Sequence, residues 1–155
     1  MKEPKHRRLE WMAPVVILLV SLFIWGHSLV PADQSSAESG RIVALLAPVL
    51  EIIEVEPGLW QTVVRKGAHM TEFCLLAVVW MVTLVQCRAV SWPRKVGTTA
   101  AVCMATAMVD ETIQLRVVGR SGQISDVWID LLGAAVGIIL TAAVTGLIAL
   151  RKRRR

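Results

Sequence analysis

Four carboxylates stand among strongly apolar residues in the segment AMVDETIQLRVVGRSGQISDVWIDLLGAAVG, residues 107–137. They belong to Asp110, Glu111, Asp126 and Asp130, and Arg120 lies between the two pairs in the turn GRSG. Clustered carboxylates can hold a divalent cation and activate a water molecule, or accept hydrogen bonds from a bound ligand. Because a charged side chain that faces lipid is costly, the segment predicts an internal polar site.

Polar residues recur at helical spacing within each segment that carries them. In RKGAHMTEF, residues 65–73, Lys66, His69 and Glu72 follow one another at intervals of three. Spacings of three or four place side chains on one face of a helix. The same relation holds for three further pairs, Asp110 with Gln114, Glu111 with Gln114 and Asp126 with Asp130.

The composition indicates that membrane-spanning helices position these residues. The chain has 155 residues, of which 55% are hydrophobic, and a mean hydropathy of +0.59. A soluble domain of this size has too much surface for its volume to hide so much apolar area. We therefore predict an all-α membrane protein in which four transmembrane helices form a single domain over residues 1–155. The segments that reach the ~20 residues needed to cross a bilayer are approximately Trp11–Leu29, Gly67–Cys87, Val96–Gln114 and Ile124–Leu150.

The basic residues predict that both termini are cytoplasmic. With the N-terminus inside, most of the 17 lysines and arginines flank the inner ends of the segments, as the positive-inside rule requires. Most acidic residues then lie outside or in the outer half of a helix. The terminal run RKRRR directly follows an apolar stretch, so we expect it to bind anionic lipid headgroups rather than nucleic acid.

The stretch between the first two segments is external in this topology. PADQSSAESG, residues 31–40, has the small polar residues that are typical of a turn and loop. RIVALLAPVLEIIEVEPGLW, residues 41–60, has helical apolar spacing but contains Pro48 and several glutamates. These features predict a short external interfacial helix rather than a fifth span.

The helical rise places the polar residues of three segments in one layer. Counted from the inner end of each segment, Asp110 lies about 21 Å along its helix, His69 about 28 Å and Asp130 about 30 Å. In a hydrocarbon core about 30 Å thick, these residues meet just below the outer surface. The predicted polar pocket contains Lys66, His69, Glu72, Asp110, Glu111, Gln114, Arg120, Asp126 and Asp130.

A metal or hydrolytic site is one function that such a pocket could serve. A hard divalent cation with an activated water would use oxygen ligands and one imidazole. The candidate ligands are His69, Glu72, Asp110 and Glu111. The chain has no HExxH or comparable motif, so its residues identify neither a particular metal nor a catalytic group.

Two other functions use the same residues differently. Arg65, Lys66 and Arg120 could clamp the phosphate of an amphiphile, while its lipid tail lies against apolar helix faces. Alternatively, the charges could form a structural network that fastens the helices, although buried ion pairs seldom repay their desolvation. We favour recognition of an amphiphile. His27, at the outer end of the first segment, is interpreted as an interfacial polar residue outside the pocket.

Three stretches together resemble the VanZ-like family of small bacterial membrane proteins. They are HSLVPADQSSAES (27–39), RKGAHMTEF (65–73) and DETIQLRVVGRSGQISDVWIDLLG (110–133). The shared pattern is K-x-x-H-x-x-E at the start of a helix, then D-E-x-x-Q, a G-R-S turn, and D-x-x-x-D entering the last helix. The resemblance extends from about Trp11 to Gly137.

The resemblance implies a multi-pass protein of the bacterial cytoplasmic membrane. The family is associated with low-level resistance to teicoplanin, a lipoglycopeptide antibiotic. This association implies that the pocket recognises a lipid-linked cell-wall intermediate, or the lipoglycopeptide itself, and changes susceptibility to teicoplanin. A membrane-embedded, metal-dependent hydrolase of lipid-linked phosphates and a structural network without a ligand are the alternatives.

Overall fold

The described part of the chain is helical throughout. The computed structural model describes residues 5–87 and 89–154, with side chains from residue 14 onward. Charges that the sequence predicts on the cytoplasmic side at Lys2, Arg88 and Arg155 lie outside this part. The helices are α1 (Lys5–Ser28), α2 (Ala32–Ile52), α3 (Trp60–Gln86), α4 (Trp92–Gln114) and α5 (Ile124–Arg153), and a short 3₁₀ turn at Pro57–Leu59 leads into α3.

Helix α2 corrects the prediction of a loop over residues 31–40. The helix begins at Ala32, directly after Pro31, whose extended backbone (φ −56°, ψ 154°) ends the turn from α1. Asp33 in the first turn suits the positive end of the helix dipole. Alanine, glutamine and glutamate in this stretch favour helix, and they outweigh the turn preference of its serines. Helix α2 therefore begins nine residues before the stretch predicted to be helical, ends at Ile52 and spans 21 residues.

Two described stretches are long and apolar enough to cross a membrane, Pro57–Gln86 and Ile124–Arg153. Pro14–Ser28 of α1 passes the same test only together with α2, and the two are bent by 107°, as in a broken span or a re-entrant loop. Helix α4 is not among these candidates, because its first turns carry basic residues and its last turns carry acids. The described part thus has two candidate spans, or three if the bent pair is one. The four-span arrangement stays a prediction.

The outer helix faces carry large apolar side chains that no other part of the described chain covers. Examples are Leu19 and Phe23 on α1 and Leu132 and Ile139 on α5, all more than half exposed. Apolar patches of this extent drive association in water, whereas a bilayer accommodates them. The chain is therefore a membrane protein.

Helix α3 is the centre of the fold and packs most extensively against α5. The GAAVG step, residues 133–137, makes this close approach possible. A Cβ on Gly133 would overlap the carbonyl oxygen of Met70, and a Cβ on Gly137 would overlap that of Cys74. Small residues four apart allow two membrane helices to pack backbone to backbone. An apolar core beside this contact includes Phe73, Leu76 and Ala77 of α3 together with residues of α1, α4 and α5.

Helix direction alternates, so that one end of the bundle receives polar residues from every helix of the core. Helices α1 and α4 run toward this end and finish there at Ser28 and Gln114, whereas α3 and α5 begin there. We call it the polar end. The loop from α4 to α5 crosses it, and Gly119 in that loop has φ +76°. A Cβ at Gly119 would lie 3.0 Å from the Ala32 Cβ, so the loop can approach α2 only with glycine there.

Candidate functional site

Eight polar side chains meet in the interior of the polar end, and we call them the buried polar cluster. Helix α1 supplies two of them, α3 two, α4 three and α5 one. Five are less than 9% exposed, so they are removed from solvent although six of the eight are ionisable. The cluster consists of His27, Ser28, His69, Glu72, Asp110, Glu111, Gln114 and Asp130.

Asp110 lies at the centre of the cluster and is 0% exposed. The Ser28 hydroxyl donates a hydrogen bond to Asp110 Oδ1 at 2.5 Å. The Gln114 side-chain amide, one turn along α4, donates to Asp110 Oδ2 at 2.9 Å. Hydrogen bonds to a carboxylate fix its orientation and offset the cost of burying it. Asp110 is therefore held in place by both α1 and its own helix.

Two histidines lie side by side above Asp110. The rings of His27 and His69 are nearly parallel, with centroids 6.3 Å apart. His27 Nδ1 lies 3.0 Å from Glu72 Oε1. His69 Nδ1 is 3.9 Å from both Glu72 Oε2 and Asp110 Oδ2, which is beyond hydrogen-bond distance. His27 thus engages its carboxylate directly, whereas His69 faces two carboxylates across a gap.

Four atoms of the cluster are buried without a hydrogen-bond partner among the described residues. They are both carboxylate oxygens of Asp130, Nδ1 of His69 and Oε2 of Glu72. Asp130 is only 1% exposed. Native proteins satisfy nearly all of their buried polar atoms, so a group of exceptions in one place requires an explanation. One ligand atom each from His69, Asp110 and Asp130 also lie within 4.8 Å of one another, an arrangement that could hold a metal ion.

Glu111 has a different task from the one predicted for it as a metal ligand. Its Oε2 accepts the backbone N–H of Gln123 at 2.7 Å, and its Oε1 accepts a longer bond of 3.4 Å from Gln114. Gln123 directly precedes α5, at the N-cap position of that helix. Glu111 therefore ties the start of α5 to the end of α4, and it is not among the three residues that face one another as possible metal ligands.

The predicted cationic clamp is not assembled in the structure. Lys66 Nζ forms an ion pair of 2.8 Å with Asp126, at the edge of the polar end. Arg120 donates from Nε to the Val30 carbonyl at 2.8 Å and from Nη2 to the His27 carbonyl at 3.3 Å. Carbonyl groups at and just beyond the C-terminal end of α1 attract a cation, so Arg120 caps that end of the helix. Burial lowers the pKa of the Arg120 guanidinium, but arginine remains protonated in proteins.

The structure therefore divides the nine predicted pocket residues into two sets. Six belong to the buried polar cluster, whereas Lys66 and Asp126 form a separate pair and Arg120 lies at the rim. His27 and Ser28 were not among the predicted pocket residues. The signal was their position, because the end of α1 must reach the same layer as the ends of the other helices. His27 was assigned to the interface instead, and its contact with Glu72 corrects that interpretation.

An apolar groove of about 570 Å³ runs between α2 and α3 and ends beside the cluster. Its walls are mostly aliphatic, and Gly67 and Ala68 form part of its floor on α3. Glu72 lines one part of the groove and also contacts His27 of the cluster. The apolar groove and the buried polar cluster thus meet at Glu72. The other lining residues include Ile42, Leu46, Leu50, Val63 and Thr71.

The family of the chain follows from comparison with known proteins. No curated protein and no solved structure is significantly similar to it. A family model described as VanZ/LLP1 matches residues 13–146, which include all five helices in whole or in part and the entire buried polar cluster. This match confirms the resemblance that the sequence motifs indicated. The chain is a VanZ-like membrane protein and belongs to the VanZ/LLP1 family.

Proposed function

We propose that the chain is a single-domain, multi-pass protein of the bacterial cytoplasmic membrane, with four spans and both termini in the cytoplasm. Helix α4 has 23 residues, which corresponds to about 35 Å and is long enough to cross the bilayer. It packs against α1, α3 and α5, and its acids Asp110 and Glu111 are buried, so both are shielded from lipid. The bend of 107° between α1 and α2 supports an α2 that lies along the outer surface.

Cysteine labelling tests this topology. Cys87 is exposed and follows the end of α3, so the proposal puts it in the cytoplasm. In a variant that lacks Cys74 and Cys103, a membrane-impermeant maleimide should label Cys87 in inside-out vesicles but not in intact cells. Ser36→Cys on exposed α2 provides the opposite control in a Cys87→Ser background. Labelling of Cys87 from the outside of intact cells would contradict the proposed orientation.

We further propose that the polar end recognises a lipid-linked cell-envelope molecule. The observation that carries this proposal is the junction at Glu72, where the apolar groove between α2 and α3 meets the buried polar cluster. An amphiphile needs an apolar path for its tail that ends at a polar site for its headgroup. Ligand sites are typically concave, mostly apolar and equipped with a few convergent polar groups.

The charges of the cluster favour a headgroup that donates hydrogen bonds. Glu72, Asp110, Glu111 and Asp130 bring four carboxylates, and carboxylates accept hydrogen bonds from hydroxyl, amide and amine groups. Sugars and peptides carry these donors. A phosphate would instead suit the exposed Arg65, which lines a small polar pocket of about 70 Å³ between α2 and α3.

The association of the family with teicoplanin resistance suggests a second ligand, because teicoplanin is also an amphiphile. Teicoplanin is a lipoglycopeptide, so it carries a lipid tail together with sugar and peptide groups. Either capture of the antibiotic or competition for a lipid-linked cell-wall intermediate would change susceptibility to it. We therefore propose that the protein influences teicoplanin susceptibility through the same groove and cluster.

The unpartnered atoms of the cluster argue against a purely structural network. A network that only fastens helices gains nothing from Asp130, whose two buried oxygens contact no donor among the described residues. Burying such a group costs free energy, and buried charges stabilise only when they are paired and fully hydrogen-bonded. A ligand that supplies the missing partners accounts for this cost.

Blocking the groove should abolish binding without unfolding the protein. Gly67 lines the groove, and a Cβ added there meets no atom within 4 Å. Gly67→Phe should therefore fill the tail path with little strain and reduce the lipid that co-purifies with the protein, measured by native mass spectrometry, by about tenfold or more. Loss of ~1.4 kcal/mol of binding free energy corresponds to that factor.

Gly97→Phe is the matched control, because Gly97 on α4 also has open space around it but does not line the groove. Any effect of the protein on teicoplanin susceptibility should be lost with Gly67→Phe and kept with Gly97→Phe. Equal lipid content in both variants and the wild type would contradict the proposal.

A further inference from the structure

We propose that His69, Asp110 and Asp130 form a binding site for one divalent transition-metal ion, of which zinc and manganese are the fitting examples. The inference deepens the proposed function, because the ion would lie in the cluster that receives the headgroup. It rests on the arrangement of the three side chains and on atoms of His69 and Asp130 that lack partners.

The three ligand atoms come from three different helices and lie within 4.8 Å of one another. Bonds of about 2.1 Å to a tetrahedral ion set ligand atoms about 3.4 Å apart. His69 Nδ1 and Asp110 Oδ2 are already 3.9 Å apart. Changes in side-chain torsion angles that move the ligand atoms by about an ångström would bring them to these distances. The helices themselves would not have to move.

The hydrogen bonding of the three side chains suits metal ligands, because the atoms that would bind the ion are free or are held in a fixed orientation. Nδ1 of His69 and both oxygens of Asp130 have no hydrogen-bond partner within the described part of the chain. Asp130 is 1% exposed, so bulk solvent does not supply the missing partners. Asp110 is oriented by Ser28 and Gln114, as ligating carboxylates are commonly oriented by surrounding hydrogen bonds.

The charge balance also favours a cation. Within the described residues, His69 is the one basic side chain within 4.0 Å of the Asp110 carboxylate. No basic side chain of the described residues lies within that distance of the Asp130 carboxylate. The nearby cations are engaged elsewhere, Lys66 with Asp126 and Arg120 with carbonyl groups at and just beyond the end of α1. A divalent ion would neutralise the two buried carboxylates.

The ligand types narrow the choice of ion. One imidazole and two carboxylates suit zinc or manganese better than calcium or magnesium, which prefer oxygen ligands alone. Three protein ligands leave at least one coordination position open, as in sites where a metal meets water or a ligand. The free Glu72 Oε2 lies 3.9 Å from His69 Nδ1, so a group bound at that position would find an acceptor nearby.

Metal titration of the chelator-treated full-length protein in lipid-free detergent tests the inference. We expect one Zn²⁺ or Mn²⁺ per chain, by calorimetry and by elemental analysis after gel filtration, together with a rise in melting temperature. Asp130→Asn should weaken binding by at least about 100-fold, since loss of an orienting group around a metal already costs 10–100-fold.

Asp126→Asn is the matched control, because it changes a carboxylate one turn earlier on α5 that pairs with Lys66 instead. It should bind the ion as the wild type does. Circular dichroism and gel filtration establish that each variant is folded. If Asp130→Asn is misfolded, the visible spectrum of the Co²⁺-loaded wild type decides whether one imidazole and carboxylate oxygens bind the ion.

The inference is overturned if the wild type binds neither Zn²⁺ nor Mn²⁺ at one ion per chain, or if Asp130→Asn binds as tightly as Asp126→Asn. The experiments distinguish a failure of the metal site from a failure of the proposed lipid recognition. Gly67→Phe should keep the metal and lose the lipid, whereas Asp130→Asn should lose the metal. Metal binding without lipid binding would reject the amphiphile alone, and lipid binding without metal would reject the metal alone.

Discussion

Gly133→Val is expected to prevent the chain from reaching its native bundle. A Cβ at this position would overlap the carbonyl oxygen and the Cα of Met70 on α3, and valine adds two methyl groups. The overlap is with backbone, so a change of rotamer cannot relieve it. Overpacking a core costs about 1–3 kcal/mol when side chains can move, and we expect a larger loss here because α3 and α5 must separate. Gel filtration of the detergent-extracted protein should show aggregate in place of a monodisperse peak.

Gly146→Val is the control for this experiment. Gly146 lies on the same helix, and a Cβ there meets no atom within 4 Å. Both substitutions carry the same change in helix propensity, so a difference between them isolates the contact with α3. A Gly133→Val protein as monodisperse and as thermostable as Gly146→Val would show that α3 and α5 do not pack as the structure has them.

Asp130→Asn is expected to make the metal-free and lipid-free protein more stable, although it removes a residue of the proposed site. The buried oxygens of Asp130 have no partner among the described residues. Their desolvation therefore lowers the stability of the wild type by about 1–3 kcal/mol, and no hydrogen bond offsets it. An amide of the same shape also lacks partners there, but it has no charge to desolvate, so the cost is smaller than for the carboxylate. The melting temperature in chelator should therefore rise. Binding sites commonly trade stability for function in this way.

Asp110→Asn should have the opposite effect. Asp110 accepts hydrogen bonds from Ser28 and Gln114, and an amide would set an N–H group against one of these donors. We expect a loss of about 1–3 kcal/mol and a lower melting temperature. The two variants together distinguish Asp110, which stabilises the fold, from Asp130, which lacks partners until a ligand binds. Equal losses of stability in both would favour a structural network.

The helices of the core were predictable because lipid imposes a simple rule on their sequence. Helices α3 and α5 are long and apolar enough to cross a bilayer, and the predicted segments 67–87, 96–114 and 124–150 fall on α3, α4 and α5. Helix α2 was not predictable in the same way. Its first ten residues are small or polar, and whether they form a turn or a helix depends on the bend after α1.

The layer of polar residues at one end of the bundle was also predictable, because helical rise determines how far each residue lies along its helix. The partners within that layer were not. Lys66 and Arg120 have long side chains that reach several acceptors, and the choice of Asp126 and of the α1 carbonyls depends on how the helices rotate about their axes. His27 and Ser28 were missed for the same reason, since two polar residues at the end of a helix do not reveal which way they face.

Photo-crosslinking in living membranes tests the central claim, that the groove between α2 and α3 delivers a lipid-linked molecule to the buried polar cluster. A photoreactive residue would replace Thr71, which lines the groove near Glu72, and in a second variant Ile139, which is 65% exposed on α5. We predict that Thr71 captures a lipid with a sugar or peptide headgroup, whereas Ile139 captures only bulk phospholipid. The same phospholipids at both positions would contradict the account.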